Sequence, residues 1–274
     1  MLQEKIIAIY CIVDDLLKEK GHFFDPRAKI TDSELVTIAI SSGLFFCGNW
    51  LTTYNSFYSF GLVKAKVDKS RISRRIVALE HILEELISVA GHLFTEIRAD
   101  KEFILDSAPI AICDNVRIPR AKLLIGEDFR GYVASFKRYF YGLRLQLITT
   151  KEGIPVSYAI TEAKLSDAEA LHLMPMQLNA ESRIYADAAY TDYAFEDKLK
   201  HEREIELMVQ RKKNTKRKRP KQTEQQIKQH RKRIETVFSQ LKGLMKRKIH
   251  AVKIETFMLK IKCFILALQF NVLC

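Results

Sequence analysis

A chain of 274 residues, 47% hydrophobic and 28% charged, is long enough for one large domain or two modest ones, and its composition excludes a disordered polymer. Five scattered cysteines with no Cys-x-x-Cys pair exclude a zinc knuckle and a disulfide framework, and fit a reducing compartment. The net charge of +12 is concentrated: Arg211 to Lys248 carries sixteen Lys or Arg against two acids, Glu224 and Glu235, a local +14 that leaves the rest of the chain at −2. Such a segment either docks on a polyanion, releasing its counterions, or is a solvated basic loop. The N-terminus lacks a basic start followed by an apolar run, and the longest uninterrupted apolar run near the C-terminus, Cys263–Leu268, follows Lys260 and Lys262. We therefore expect neither a signal peptide nor a membrane span, and a cytoplasmic, nucleoid-associated protein.

The first part, residues 1–98, reads as a small helical domain. Ile6, Ile9, Tyr10, Val13, Leu16 and Leu17 recur at helical spacing. Thr31-Asp32-Ser33-Glu34 is a capping-box pattern that opens a second helix. A third helix begins near Ser70, with Ile72, Ile76, Leu79, Leu83 and Leu86 on one line and Arg71, Arg74 and Arg75 at its start. Short helices with an Arg cluster at one helix start fit a DNA reader of helix-turn-helix type, or an ordinary helical domain with a solvated basic face.

From residue 99 to 274 the period changes. Phe103–Leu105 is a short strand before Asp106, and Tyr139–Thr150 and Pro155–Thr161 form a hairpin about Lys151-Glu152-Gly153. Ser166 opens a helix to about Leu178, Arg183–Ala186 is a strand ending at Asp187, and Thr191 caps a helix to about Lys200. A strand over Glu204–Gln210, a long helix over Gln222–Lys248 and a mainly buried helix over Ile254–Leu273 complete the chain. The order predicts an α/β domain, a mixed sheet flanked by helices.

Asp106 and Asp187 share one setting: each follows a short apolar strand and precedes small residues. Ligands in such sheets bind beyond the carboxyl ends of the strands, so the two acids would enter one crevice, where a divalent cation lets both stay ionised. Magnesium is the expected ion near phosphates. The plainer alternative is that each aspartate only turns the chain after its strand. Glu235 is the candidate third ligand. It lies on one helix face with Arg231, Phe238 and Lys242, although an Arg231–Glu235 ion pair would also explain that spacing. Asp167 and Asp192 read as helix-start acids. Neither a Gly-x-Ser-x-Gly elbow nor a P-loop occurs, which argues against an acyl hydrolase or an ATPase. Phe136, Tyr139 and Tyr141 are either core aromatics or platforms for bases at a frayed end.

Several motifs in order carry a resemblance: Ile-Leu-Asp-Ser-Ala-Pro at Asp106, the Arg130–Leu145 stretch, Leu-Ser-Asp-Ala-Glu-Ala-Leu, Tyr-Ala-Asp-Ala-Ala-Tyr at Asp187, and Arg-Lys-Arg-Ile-Glu-Thr-Val-Phe at Glu235. From Phe103 onward the chain resembles bacterial insertion-sequence transposases with an Asp-Asp-Glu triad, and looks closest to insertion sequence family 982. Arg231, Glu235 and Lys242 match the Tyr-Arg-Glu-Lys signature of the related families, while Lys228 stands at the tyrosine place. The resemblance implies a ribonuclease H-like core with Asp106 on its first strand and Asp187 on the adjacent fourth. It implies two magnesium ions, with manganese as a substitute, Asp106 bridging both, Asp187 on one and Glu235 on the other. Arg231 and Lys242 would clamp phosphates, and Lys212, Lys213, Arg217, Lys246 and Arg247 would follow the DNA backbone. The helical domain, with Arg71, Arg74 and Arg75, would bind the element's ends as double-stranded DNA, in a homodimer. The alternatives are a metal nuclease of the same fold that does not join strands, and an inactive DNA-binding derivative.

Overall fold

A computed structural model describes residues 2–113, 115–133, 137–245 and 249–273. The chain divides into two compact units, Ser88–Gln240 and a second made of Met1–Ile87 with Leu241–Cys274. This division falls ahead of the expected boundary at residue 98, and the segment from Leu241 groups with the N-terminal helices rather than with the sheet.

The first unit is built on a six-stranded mixed sheet. Its axis is β1 (Glu102–Cys113), paired antiparallel along almost its whole length with β3 (Arg138–Thr150). The other edge of β3 takes both a short strand, β2 (Arg130–Val133), and the hairpin partner β4 (Pro155–Glu162). On its far side β1 pairs in parallel with β5 (Arg183–Ala186), which pairs in parallel with β6 (Glu206–Val209). Alternation along these strands assigns their side chains to two faces. Phe103, Leu105, Ile148, Ile184, Ala186, Leu207 and Val209 fill one face, with Leu171 of α6 (Asp167–Leu171) and Leu199 of α7 (Tyr193–Arg203) packed on them. On the opposite face Tyr185 and Met208 enclose Ile227 of α8 (Lys221–Met245).

Three local expectations change. The helix after Ser166 keeps its capping box but ends at Leu171 rather than Leu178, since Pro175 lies in the run that would have continued it. Asp192, not Thr191, caps α7, its carboxylate accepting from the Phe195 N–H. β1 also runs seven residues beyond Asp106, and Pro109 is tolerated there because β5 has ended and that edge has no neighbour requiring an N–H.

The second unit contains α1 (Leu2–Glu19), α2 (Asp32–Phe45), α3 (Trp50–Ser59), α4 (Lys69–Ala78), the start of α5 (Glu80–Arg98) and α9 (Ile254–Leu273). α1 buries Ile6, Ile9, Val13 and Leu17. The capping box of α2 is formed: Glu34 N–H donates to Thr31 Oγ1 at 3.1 Å, and Thr31 N–H to Glu34 Oε2 at 2.7 Å. The expected third helix is two, α4 and α5, broken at Leu79. α9 lies against α2 so closely that a Cβ on Gly43 would stand 2.9 Å from the Cys263 carbonyl oxygen. By length and hydropathy α9 is long and apolar enough to cross a membrane, contrary to the reading from its uninterrupted run alone, and 67% of that window is buried inside the fold. Its Lys262 is buried and held by Glu80 and Glu84, each at 2.5 Å.

Candidate active site

Asp106 and Asp187 come together where β5 stops. The parallel register pairs Ile104 with Tyr185, so two residues further along Asp106 and Asp187 stand side by side. Alternation turns both toward the face covered by α8. Asp106 therefore sits within β1, at the point where one of its edges opens, and not at the strand's end.

One oxygen of each carboxylate is fixed by the backbone. Ser107 N–H donates to Asp106 Oδ1 at 2.8 Å, and Ala189 N–H donates to Asp187 Oδ1 at 2.6 Å. The second oxygens converge on one cation: Arg231 Nη2 lies 3.3 Å from Asp106 Oδ2 and 3.7 Å from Asp187 Oδ2. Two carboxylate oxygens held about a single positive group are a donor set suited to a hard divalent ion. Burial pushes the Asp106 carboxyl up to about 6, against the opposing pull of Arg231 and the Ser107 N–H, and Asp187 adds a smaller push.

Arg231 is aimed by the way α8 is seated. Arg233 donates from Nε and Nη2 to the Glu152 carbonyl in the β3–β4 turn, at 2.9 and 2.6 Å. At that turn Gly153 has φ +91°, and a Cβ there would meet Val237 at 2.6 Å. Next to Arg231, the His230 ring stacks on Tyr185 at 4.1 Å, and Tyr185 donates to Glu102 Oε1 at 2.9 Å. Gln210, just after β6, accepts from Arg231 Nη1 at 3.3 Å. On the sheet's other face fully buried Tyr190 donates to Gln146, which with Arg144 holds Asp167. Asp167 is thus an anchor as well as a helix-start acid. Sequence reading gave no role to Gln210, Tyr185, His230 or Gln146, although Tyr185 opens the motif at Asp187, Gln210 ends an expected strand and His230 adjoins Arg231.

The remaining expected site residues fall into three groups. Glu235 is exposed on α8, four residues and so about 6 Å of helix rise beyond Arg231. Among the described residues no three carboxylate, imidazole or thiol groups lie close enough together to hold a metal ion, so Glu235 is not gathered with the two aspartates. Arg71, Arg74, Lys212, Lys213 and Lys242 are exposed, Lys242 within the helical unit. Two expected DNA contacts are already paired with carboxylates of the chain, Arg217 at the surface and Arg75 partly buried. Arg217 forks onto Asp197 at 2.6 and 2.7 Å and lies over Tyr193, and Arg75 binds Asp32 and the Ile30 carbonyl, each at 2.5 Å. Lys246 and Arg247 lie outside the described residues, as does Phe136. Tyr141 is a core aromatic whose hydroxyl donates to the Leu124 and Gly126 carbonyls.

A family model described as a transposase DDE domain matches residues 96–252, more than half of the chain and all of the carboxylate crevice. The chain belongs to the DDE transposases. No curated protein and no solved structure matches it. The match is to insertion-sequence DDE transposases at large and does not single out family 982. The transposase sheet is ribonuclease H-like, an antiparallel β1–β3–β4 set continued by parallel β5 and β6, with the extra strand β2 beside β3. A transposase acts on DNA, and its family generally uses divalent metal ions, a requirement that the Asp106 and Asp187 oxygens fit.

Proposed function

We propose that this transposase cleaves the ends of a DNA insertion element and joins the freed 3′ hydroxyl to target DNA, using two magnesium ions held by Asp106, Asp187 and Glu235. The observation that carries the reading is the convergence of Asp106 Oδ2 and Asp187 Oδ2 on one cationic group at the open edge of β1. The ions would supply an activated attacking oxygen and a stabilised leaving oxygen. The chain's own residues do the rest. The Ser107 and Ala189 N–H groups hold the carboxylates so that their free oxygens face the crevice. Arg231 neutralises the pair until DNA arrives, then turns its guanidinium to a phosphate beside the cut, and Glu235 closes the ligand set from the next turn of α8. Lys212, Lys213 and Lys242 bind the backbone without reading sequence. Arg71 and Arg74 of α4 contact the element's ends, and pairing two ends calls for a homodimer.

The test uses purified protein with magnesium and DNA carrying the element's own ends. Cleavage followed by joined product is expected from the wild type and neither from Asp106→Asn. Cleavage without joined product would mean a nuclease of the same fold. Equal cutting by both proteins would refute the carboxylate assignment.

A further inference from the structure

Exposed aromatic side chains pair on β2 and β3, away from the carboxylates, and exposed aliphatic ones lie in the connector before β2. On the β2–β3 pair Tyr132 and Tyr139 are direct cross-strand partners, 45% and 50% exposed, with ring centroids 4.8 Å apart. The Arg130 guanidinium lies 5.2 Å above the Tyr139 ring and makes only a loose 3.7 Å pair with Glu127. Val116 and Ile125 are 91% and 83% exposed in the connector that precedes β2. Two half-exposed tyrosines with rings inclined at 53°, one beneath a guanidinium, form an exposed π surface among the described residues.

Charge selects the occupant. From Val116 to Tyr139 the sequence has six Lys or Arg (Arg117, Arg120, Lys122, Arg130, Lys137, Arg138) against Glu127 and Asp128. All six cations are exposed. A second copy of the same patch would bring like charges together, whereas a polyanion is attracted. Flat rings flanked by cations are what binds unpaired nucleotides, since every base has a π face and every phosphate a charge.

We propose that the Tyr132–Tyr139 pair is a second DNA site of this transposase, which takes an unstacked base from a melted stretch of the duplex. The site is distinct from the crevice. Leu147 faces Asp106 across the β1–β3 register, and Tyr139 lies eight residues before it on the same strand. At about 3.4 Å per residue that is roughly 27 Å, or about eight base-pair steps. The base it holds is therefore several nucleotides from the cut. The inference rests on DNA as the substrate and not on the metal chemistry.

The test compares the full chain's affinity for three DNAs of arbitrary sequence: a blunt duplex, the same duplex with one end unpaired, and a thymidine homopolymer. The wild type should prefer the unpaired end and the homopolymer. Tyr132→Ala with Tyr139→Ala should lose about five- to a hundred-fold on those two DNAs, with duplex affinity unchanged. Tyr139→Trp should keep the preference and show indole quenching when the homopolymer is added. Asp106→Asn, which is expected not to cleave, should also keep the preference, so failure of the cutting mechanism and failure of this site are told apart. No preference in the wild type, or an alanine pair that weakens all three DNAs equally or none, would overturn the proposal. So would an alanine pair that turns a sedimenting dimer into a monomer while keeping the DNA preference, which would make the patch a protein interface.

Discussion

Asp106→Asn should stabilise the metal-free transposase at pH 8 and leave it unchanged near pH 4. Burial raises the Asp106 carboxyl from the usual 3.8 to about 6 in the folded chain. Between those values the folded state binds more protons than the unfolded state, so stability falls as pH rises through that window. Above about pH 6 the full penalty of a buried carboxylate is in place. A difference of roughly two pH units at 1.36 kcal/mol each sets it at about 3 kcal/mol, a net figure that already includes the pull of Arg231. Asparagine keeps the shape and carries no charge. Urea melts at pH 4, 6 and 8 with chelator present should show a midpoint gain of about 1–3 kcal/mol at pH 8, smaller at pH 6 and absent at pH 4. Magnesium should reverse the order. An ion that binds only the wild type adds about 2.7 kcal/mol at a hundred times its dissociation constant. A variant less stable than wild type at pH 8, or a difference that does not change with pH, would refute the account of Asp106 as a buried carboxylate waiting for a cation.

Arg231→Gln should bind magnesium without DNA about tenfold more tightly, because the group competing for Asp106 and Asp187 is gone, while cleavage of end DNA falls; titration calorimetry and a nicking assay separate the two effects. Lys212→Ala and Lys213→Ala should each lower the salt dependence of DNA binding by about one ion, with little change in melting temperature. Arg217→Ala should cost little stability, because its pair with Asp197 is solvent-exposed, and should lower the salt dependence of DNA binding less than Lys212→Ala does, since the guanidinium must first leave Asp197; urea melts and salt titrations check both.

What the sequence revealed of the site depended on how local each signal was. Asp106 and Asp187 were legible because an apolar strand followed by small residues is written within five or six positions. Arg231 and Glu235 were legible as a pair because one helix repeats its face every four residues. The continuation of β1 past Asp106 was hidden, since Ser107-Ala108-Pro109 does not alternate and the strand is held there only by its register with β3. The engagement of Arg217 by Asp197 and of Arg75 by Asp32 was hidden for the same reason: their partners are 20 and 43 residues away, and a free cation and a paired one look alike in sequence. The unit boundary escaped because α9 follows the sheet in sequence but buries its apolar length in the helical unit.

In the proposed reaction, the contacts that seat α8 would let a single arginine serve both the resting crevice and the cut. The stack of His230 on Tyr185, the packing of Ile227 against Tyr185 and Met208, and the Arg233 bond to Glu152 hold the helix to β5, β6 and the β3–β4 turn on either side of Arg231 in sequence. With the helix held, the choice of what stands between the two aspartates passes to side chains alone. Arg231 carries one positive charge to two buried or half-buried carboxylates, which leaves the pair short of a full balance. A divalent ion corrects that deficit and a DNA phosphate offers the arginine an equal partner, so the exchange is favoured more strongly when both arrive than when either arrives alone. On this reading metal binding and DNA binding are coupled, each strengthening the other by the same factor. Magnesium affinity measured with and without cleavage-blocked end DNA gives that factor, and a value of one would break the link between Arg231 and the carboxylates.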